Sequence, residues 1–200
     1  MSGGGLARLV VLASGQGTNL QALIDATRSG GLQATIVGIV SHSATAIALE
    51  RGKRFGIPGV FVATPSKRMD RDAWDLALAE RVAAMEPALI VLAGWMRILG
   101  PAFLDRFPGR VINLHPALPG ELPGVDAITR AFEEAEAGHR DRTGVMVHLV
   151  VPEVDAGPVL LEEIVPIPKG MTLDELEAAV HAVEHRLIVE GTARALASLQ

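Results

Sequence analysis

Two rhythms of apolar residues alternate along this chain. Short unbroken runs rich in Val, Leu and Ile are separated by longer stretches in which apolar positions return every three or four residues. The unbroken runs are strand-like, because a strand covered on both faces has no polar side to show. Leu6 to Ala13 is the first such run, Ala34 to Val40 the second and Val60 to Val62 a short third. Leu89 to Ala93 is the fourth and Val111 to Leu114 the fifth. Between them the spacing predicts helices over Leu20 to Arg28, Ala46 to Phe55, Asp70 to Met85 and Pro101 to Phe107. Ser29-Gly-Gly31 closes the first of these, Gly56-Ile-Pro58 the second and Pro87 the third. Strict strand-helix alternation predicts an α/β fold, a doubly wound and mostly parallel Rossmann-like sheet.

After Leu114 the pattern changes. Pro116 to Pro123 is rich in Pro and Gly and predicts a loop, and Ala127 to Ala137 is helical. Val145 to Val151 and Val159 to Val165 are strands joined by the short segment Pro152-Glu-Val-Asp-Ala-Gly-Pro158, which predicts an antiparallel C-terminal addition to the sheet. Thr172-Leu-Asp-Glu175 is a capping box, and it opens a long C-terminal helix reaching about Leu199. The expected organisation is one domain over residues 1–200, with an N-terminal half at about 6–110 and a C-terminal half at about 111–200.

Composition narrows the chemistry. With 49% hydrophobic residues in a 200-residue chain there is material for a large core. No apolar run is long enough to cross a bilayer, and no signal peptide is read at the N-terminus, where Met1-Ser-Gly-Gly-Gly5 reads as a flexible lead-in. The absence of cysteine excludes disulfides, a thiolate nucleophile and cysteine metal sites. The expected compartment is the cytoplasm, with no membrane partner. The net charge of -5, without a Lys/Arg block, argues against nucleic acid as a partner. An anionic ligand must then be held by local devices. The six histidines show no metal-ligand spacing such as His-Glu-x-x-His, so no metal is expected.

Three stretches carry candidate chemistry. Gly15-Gln-Gly17 follows the first strand, but the third glycine of a dinucleotide fingerprint is replaced by Leu20, and no acid ends the second strand. A glycine turn with Thr18 and Asn19 at a helix N-terminus suits a single phosphate, through free backbone N–H groups and the helix dipole. The same residues would also serve a plain strand-to-helix turn with Thr18 as N-cap. Asn113 and His115 stand two apart at the end of the fifth strand, so their side chains point the same way. An amide donor beside an imidazole suits acyl transfer, with the donors stabilising an oxyanion and the imidazole handling protons. A loop-capping Asn and a structural His would look the same. Asp155 sits in a loop where turn chemistry alone could place an Asp. If that loop folds over the fifth strand's end, it could orient His115 or take a proton. His148 reads as a packed strand residue. Arg71 and Glu184 read as surface charges, and the Met96 region as core or as an apolar slot beside the fifth strand.

Taken in order, Val11-Leu-Ala-Ser-Gly-Gln-Gly-Thr-Asn-Leu-Gln-Ala-Leu-Ile-Asp25, Leu92-Ala-Gly-Trp-Met-Arg-Ile-Leu99, Ile112-Asn-Leu-His-Pro116, Val154-Asp-Ala-Gly-Pro158 and Glu184-His185 resemble the phosphoribosylglycinamide formyltransferases, of the formyltransferase fold. The resemblance runs from about Leu9 to Leu187. It implies that the formyl group of 10-formyltetrahydrofolate, as cosubstrate, passes to the glycinamide amine of phosphoribosylglycinamide in purine biosynthesis. Asn113, His115 and Asp155 match the catalytic triad. The first two would stabilise a tetrahedral oxyanion, and Asp155 would set the charge of His115 and help move the amine's proton. Gly17, Thr18 and Asn19 match the phosphate loop, Arg71 an arginine near that phosphate, and Glu184 a residue bonding the ribose. Pro116 would lie against the glycinamide. Met96, Arg97, Ile98 and Leu99, with Val150 and the loop through Asp155, match the folate pocket. Ala117-Leu-Pro-Gly-Glu-Leu-Pro-Gly124 departs from the family's usual Ser-Leu-Leu-Pro run after His-Pro. The resemblance leaves monomer and homodimer equally open. Formyltetrahydrofolate hydrolase and a non-catalytic folate- or nucleotide-binding module are the alternative readings.

Overall fold

The structure, a computed structural model, describes residues 5–64 and 70–199. All of the expected flexible lead-in except Gly5 lies outside these residues. Seven strands form one sheet in the order β3-β2-β1-β4-β5-β6-β7. Its first five strands are β1 (Ala7–Leu12), β2 (Ala34–Ser41), β3 (Gly59–Phe61), β4 (Leu89–Leu92) and β5 (Val111–His115), and they pair in parallel. The last two, β6 (Arg142–Leu149) and β7 (Val159–Pro166), add antiparallel. The helices are α1 (Thr18–Ser29), α2 (Ile47–Arg54), α3 (Arg71–Ala83), α4 (Pro101–Leu104), α5 (Ala127–Glu136) and α6 (Leu173–Ser198).

The unbroken apolar runs are explained by what lies on each side of the sheet. Leu9, Val11, Leu89 and Val91 face one core with residues of α1 and α6, whereas Val10, Leu12, Ile90 and Leu92 face a second core with Trp74, Leu78 and Val82 of α3 and Phe103 of α4. Alternate residues of a strand point to opposite faces, so a sheet with two covered faces needs apolar residues at every position. The capping box forms as expected. Thr172 Oγ1 accepts from the Glu175 amide, and the Glu175 carboxylate accepts from the Thr172 amide, which fixes the start of the 26-residue α6.

Most element boundaries move, by one to three residues. β5 runs through His115 rather than stopping at Leu114. β6 starts at Arg142, three residues before the apolar run, because Arg142, Thr143 and Gly144 pair with Pro166, Val165 and Ile164 across the ladder. The helix expected over Pro101 to Phe107 stops at Leu104. Pairing supplied by a neighbouring strand, which local propensity does not record, sets the shifts in β5 and β6.

The chain runs outward through β1, β2 and β3, then returns to build β4 and β5 on the other side of β1. This reversal opens a crevice at the carboxyl ends of β1 and β4, where open α/β sheets bind ligands. Ser14 N donates to Gly94 O at 3.0 Å across it.

Gly191 marks where α6 touches the sheet. A Cβ there would meet Val147 side-chain atoms at 2.6 to 2.9 Å. Gly191→Ala is therefore expected to destabilise the fold by about 1–3 kcal/mol through overpacking, although helix propensity alone favours Ala by about 1 kcal/mol. Urea unfolding decides the sign: a lowered midpoint is expected, and a raised one would show that the contact relaxes freely.

Candidate active site

A cavity of about 1040 Å³ lies along the carboxyl ends of β1, β4 and β5, and it brings most of the expected residues together. At one end is the glycine turn. Gly17 has φ 71°, a left-handed conformation that favours glycine, and a Cβ on it would come within 2.9 Å of Ala48. Gly17 itself is the N-cap of α1, without a side-chain cap, so Thr18 is the first helical residue rather than the cap. The amides of the first turn are thus free of a side-chain acceptor, the arrangement that receives an anion. Arg51 steadies the turn from α2, donating to Gln16 O at 2.7 Å.

Asn19 and Glu184 meet behind this turn. Asn19 Nδ2 lies 3.5 Å from Glu184 Oε2, and His181 Nδ1 reaches the same oxygen at 2.7 Å. Glu184 is therefore a buried residue of the cavity wall, not the surface charge its helical position implied. Its hydrogen bond raises the His181 pKa, only partly offset by burial. Two buried polar atoms of the wall, Asn19 Oδ1 and Trp95 Nε1, have no protein partner.

At the centre stands a carboxylate, Asp155, on left-handed backbone with φ 53°. Its Oδ1 accepts from Asn113 Nδ2 at 3.2 Å and its Oδ2 from the Gly124 amide at 2.9 Å. His115 Nδ1 is 3.4 Å from Oδ2, and His148 Nε2 is 3.5 Å from Oδ1. The loop carrying Asp155 can fold back this closely because residue 157 is glycine: a Cβ there would collide with the Leu149 carbonyl. Burial pushes the Asp155 carboxyl up. The nearby His148 imidazole, the Gly124 amide and the nearby His115 outweigh it, and the carboxyl is held below the ordinary range.

His115 is buried between two acceptors, the Leu122 carbonyl at 3.0 Å from Nε2 and Asp155 at Nδ1. A neutral imidazole has one N–H and satisfies one of them; the protonated ring satisfies both. Burial pulls the other way, and on balance His115 lies below the usual histidine value. His148 is the cross-strand partner of Asn113 in the β5–β6 register. Its Nδ1 faces the Leu149 carbonyl at 2.8 Å, so in the neutral ring Nε2 is an acceptor for Asn113 Nδ2 at 3.2 Å. The packed strand histidine thus joins the polar cluster. Its signal in the sequence is a titratable residue inside an otherwise apolar strand.

The other end of the cavity is an apolar slot. Leu92, Met96, Ile98, Leu99, Val150 and Val154 line it, together with Arg97. Met96 and Ile98 are more than half exposed, unusual for such side chains unless something covers them. Ser14 ties slot to turn: its hydroxyl accepts from the Met96 amide at 3.0 Å and meets His42 Nε2 at 2.8 Å. Pro116 also lines the cavity. Arg71 does not. Its guanidinium bonds the Ile98 carbonyl and faces the buried Asp75 at 3.7 Å, so it braces the 96–99 wall instead of reaching the glycine turn. The reason is physical: a buried carboxylate and a bare carbonyl outcompete solvent for an arginine on that helix face. Among the described residues no group of three His, Cys, Asp or Glu side chains is arranged to hold a metal ion, and no helix is long and apolar enough to cross a membrane.

A crevice that joins an anion-receiving helix start, a donor–imidazole–carboxylate cluster and an apolar slot is built for group transfer between two small molecules. Residues 7–192 match the family described as "Formyl transferase". The phosphoribosylglycinamide formyltransferase of Schizosaccharomyces pombe is 42% identical over 196 residues, spanning 92% of this chain and 95% of that protein. The Escherichia coli enzyme of the same name is 38% identical, over 90% of this chain and 82% of its own. Among solved structures, glycinamide ribonucleotide transformylase 1 from Symbiobacterium toebii superposes with a TM-score of 0.88 at 37% identity, covering 95% of this chain and 87% of that one. The chain belongs to the formyl transferase family, and within it to the phosphoribosylglycinamide formyltransferases.

The two central pKa shifts make stability pH-dependent in separate windows. Each group has a folded-state pKa below its unfolded value, so each contribution is present above the unfolded pKa and lost as pH falls through the folded one. For His115 the loss begins near pH 6.5, for Asp155 near pH 4, taking ordinary values of about 6.5 and 3.9 for the unfolded chain. His115→Gln removes only the first. Urea midpoints of wild type and variant at pH 7.5 and 5.5 are expected to change by different amounts, with the wild type losing more on acidification. Parallel losses would mean that His115 titrates in the folded protein as it does in the unfolded chain.

Proposed function

We propose that this protein transfers the formyl group of 10-formyltetrahydrofolate to the glycinamide amine of phosphoribosylglycinamide in purine biosynthesis, and that Asn113, His115 and Asp155 carry the chemistry. The observation that supports this most directly is the convergence of those three side chains midway between the open N-terminus of α1 and the apolar slot. The amides at Gly17, Thr18 and Asn19 hold the phosphate, and the dipole of α1 compensates its charge. Glu184 accepts from the ribose hydroxyls. Pro116 packs against the glycinamide arm. Met96, Arg97, Ile98, Leu99 and Val150 hold the folate ring, with Asp155 at its reacting end.

The folate donor, when bound, supplies a carbonyl-like formyl carbon, and the amine of the ribonucleotide attacks it. At the tetrahedral stage negative charge grows on the formyl oxygen. Asn113 Nδ2 turns to that oxygen the N–H that otherwise points at Asp155 Oδ1, and His115, once it carries a proton, shares with it the N–H that faces Asp155. These donors are gathered at one point before reaction, so only the two N–H groups facing Asp155 change partner. Asp155 stabilises the charged form of His115 and accepts the proton that the attacking nitrogen must lose, directly or through water. A new carbon–nitrogen bond forms to the acceptor, the bond to the donor nitrogen breaks, and that nitrogen leaves protonated. His148 keeps Asn113 facing the reacting centre by accepting from its amide.

The experiment is donor deformylation followed by absorbance, with and without phosphoribosylglycinamide. Release that requires the ribonucleotide is expected. Release without it favours hydrolysis, and none in either case, with both ligands bound, favours a binding module. Asn113→Ala is expected to lower kcat by on the order of 10²–10³, and His115→Ala to abolish turnover with the fold retained. A His115→Ala protein that unfolds would assign the histidine to the core instead.

A further inference from the structure

The contacts that set the His115–Asp155 pair come from the backbone of one loop. Leu122 supplies the carbonyl on His115 Nε2, and Gly124 supplies the amide on Asp155 Oδ2. Leu122 has φ 46°, a costly conformation for a bulky residue, so its carbonyl points at His115 only while the surroundings hold the loop in place. Two anchors are apolar: Leu118 packs over Gly144 of β6, and the Leu122 side chain is buried. The polar anchors are two arginines. Arg130 of α5 donates to the Pro123 carbonyl at 2.8 Å. Arg140, four residues past the end of α5, clasps the Glu121 carboxylate with Nη1 and Glu134 of α5 with Nε at 2.8 Å. Its side chain is mostly buried, and it borders a separate cavity of about 410 Å³ rather than the reacting crevice.

We propose that Arg140 is a positioning residue for formyl transfer. By tying Glu121 of the 117–124 loop to Glu134 of α5, it holds the Leu122 carbonyl on His115 and the Gly124 amide on Asp155. The idea rests on the formyl-transfer function proposed above, but its central consequence concerns the state of His115 and is observable without turnover. The groups facing His115 are Asp155 and His148 from the sheet side and Arg130 from α5, and none of them contacts Arg140. Releasing the clasp frees Glu121, one residue before Leu122. The loop then admits water to a ring whose ordinary titration is suppressed mainly by burial.

Arg140→Met and Glu121→Gln break the clasp from its two ends, and Arg140→Lys keeps the charge. The His115 ring is followed by proton NMR across pH, its signal assigned with His115→Asn. In both clasp-breaking variants the titration midpoint of His115 is expected to rise toward the ordinary histidine value, and Arg140→Lys is expected to restore part of the shift. kcat is expected to fall on the order of tenfold, as small misplacements of reacting groups do. KM for the ribonucleotide is expected to stay within about threefold, since the groups lost act on the reaction rather than on binding. An unchanged His115 midpoint in folded Arg140→Met and Glu121→Gln would overturn the proposal, whether or not their melting temperatures fall. If the wild type itself transfers no formyl group, the functional assignment fails, while the midpoint still decides whether Arg140 positions His115.

Discussion

One carboxylate organises the crevice at the edge of this sheet. Asp155 draws together four pieces of chain that are remote in sequence: Asn113 and His115 from β5, His148 from β6, the Gly124 amide from the loop after β5, and its own loop between β6 and β7. Partly buried charge is tolerated only where donors replace lost water. Asp155 has an amide side chain, a backbone amide and two imidazoles around it, and its pKa is held below the ordinary carboxyl range for that reason. A negative charge fixed beside His115 offsets the burial that discourages protonation of that ring. Its environment makes Asp155 a tie between these pieces of chain.

The sheet explains why these pieces meet. The chain reverses direction between β3 and β4, so β1 and β4 become neighbours and their carboxyl ends open a crevice. The antiparallel addition brings β6 beside β5 in a register that sets His148 opposite Asn113. Ser14, bonded to the Met96 amide and to His42, links the glycine turn at one end of the crevice to the apolar slot at the other. The glycine turn, the polar cluster and the apolar slot therefore share one edge of the sheet.

Much of this was legible in the sequence. Unbroken apolar runs marked the two-sided sheet, and Asn113-Leu-His115 at a strand end marked the edge where the polar cluster gathers, because both signals are local. The features that were not legible depend on contacts made across the fold. His148 looked like packing because its polar partner arrives through cross-strand register. Glu184 looked like a surface charge because a long helix shows its buried face only once α1 and the sheet are in place. Arg71 was expected near the phosphate turn, yet the buried Asp75 and the Ile98 carbonyl capture it. β6 began three residues early because pairing with β7, rather than apolar character, defines its start.

The central claim is that Asn113 and Asp155 act as one unit through their shared hydrogen bond and through the imidazole beside them. A double-mutant cycle on single-turnover formyl transfer tests it most directly, with Asn113→Ala, Asp155→Ala and the pair. The account predicts strong non-additivity, with the double variant little slower than the slower single variant, as residues of one catalytic unit behave. Losses that multiply in full would show two independent groups and contradict it.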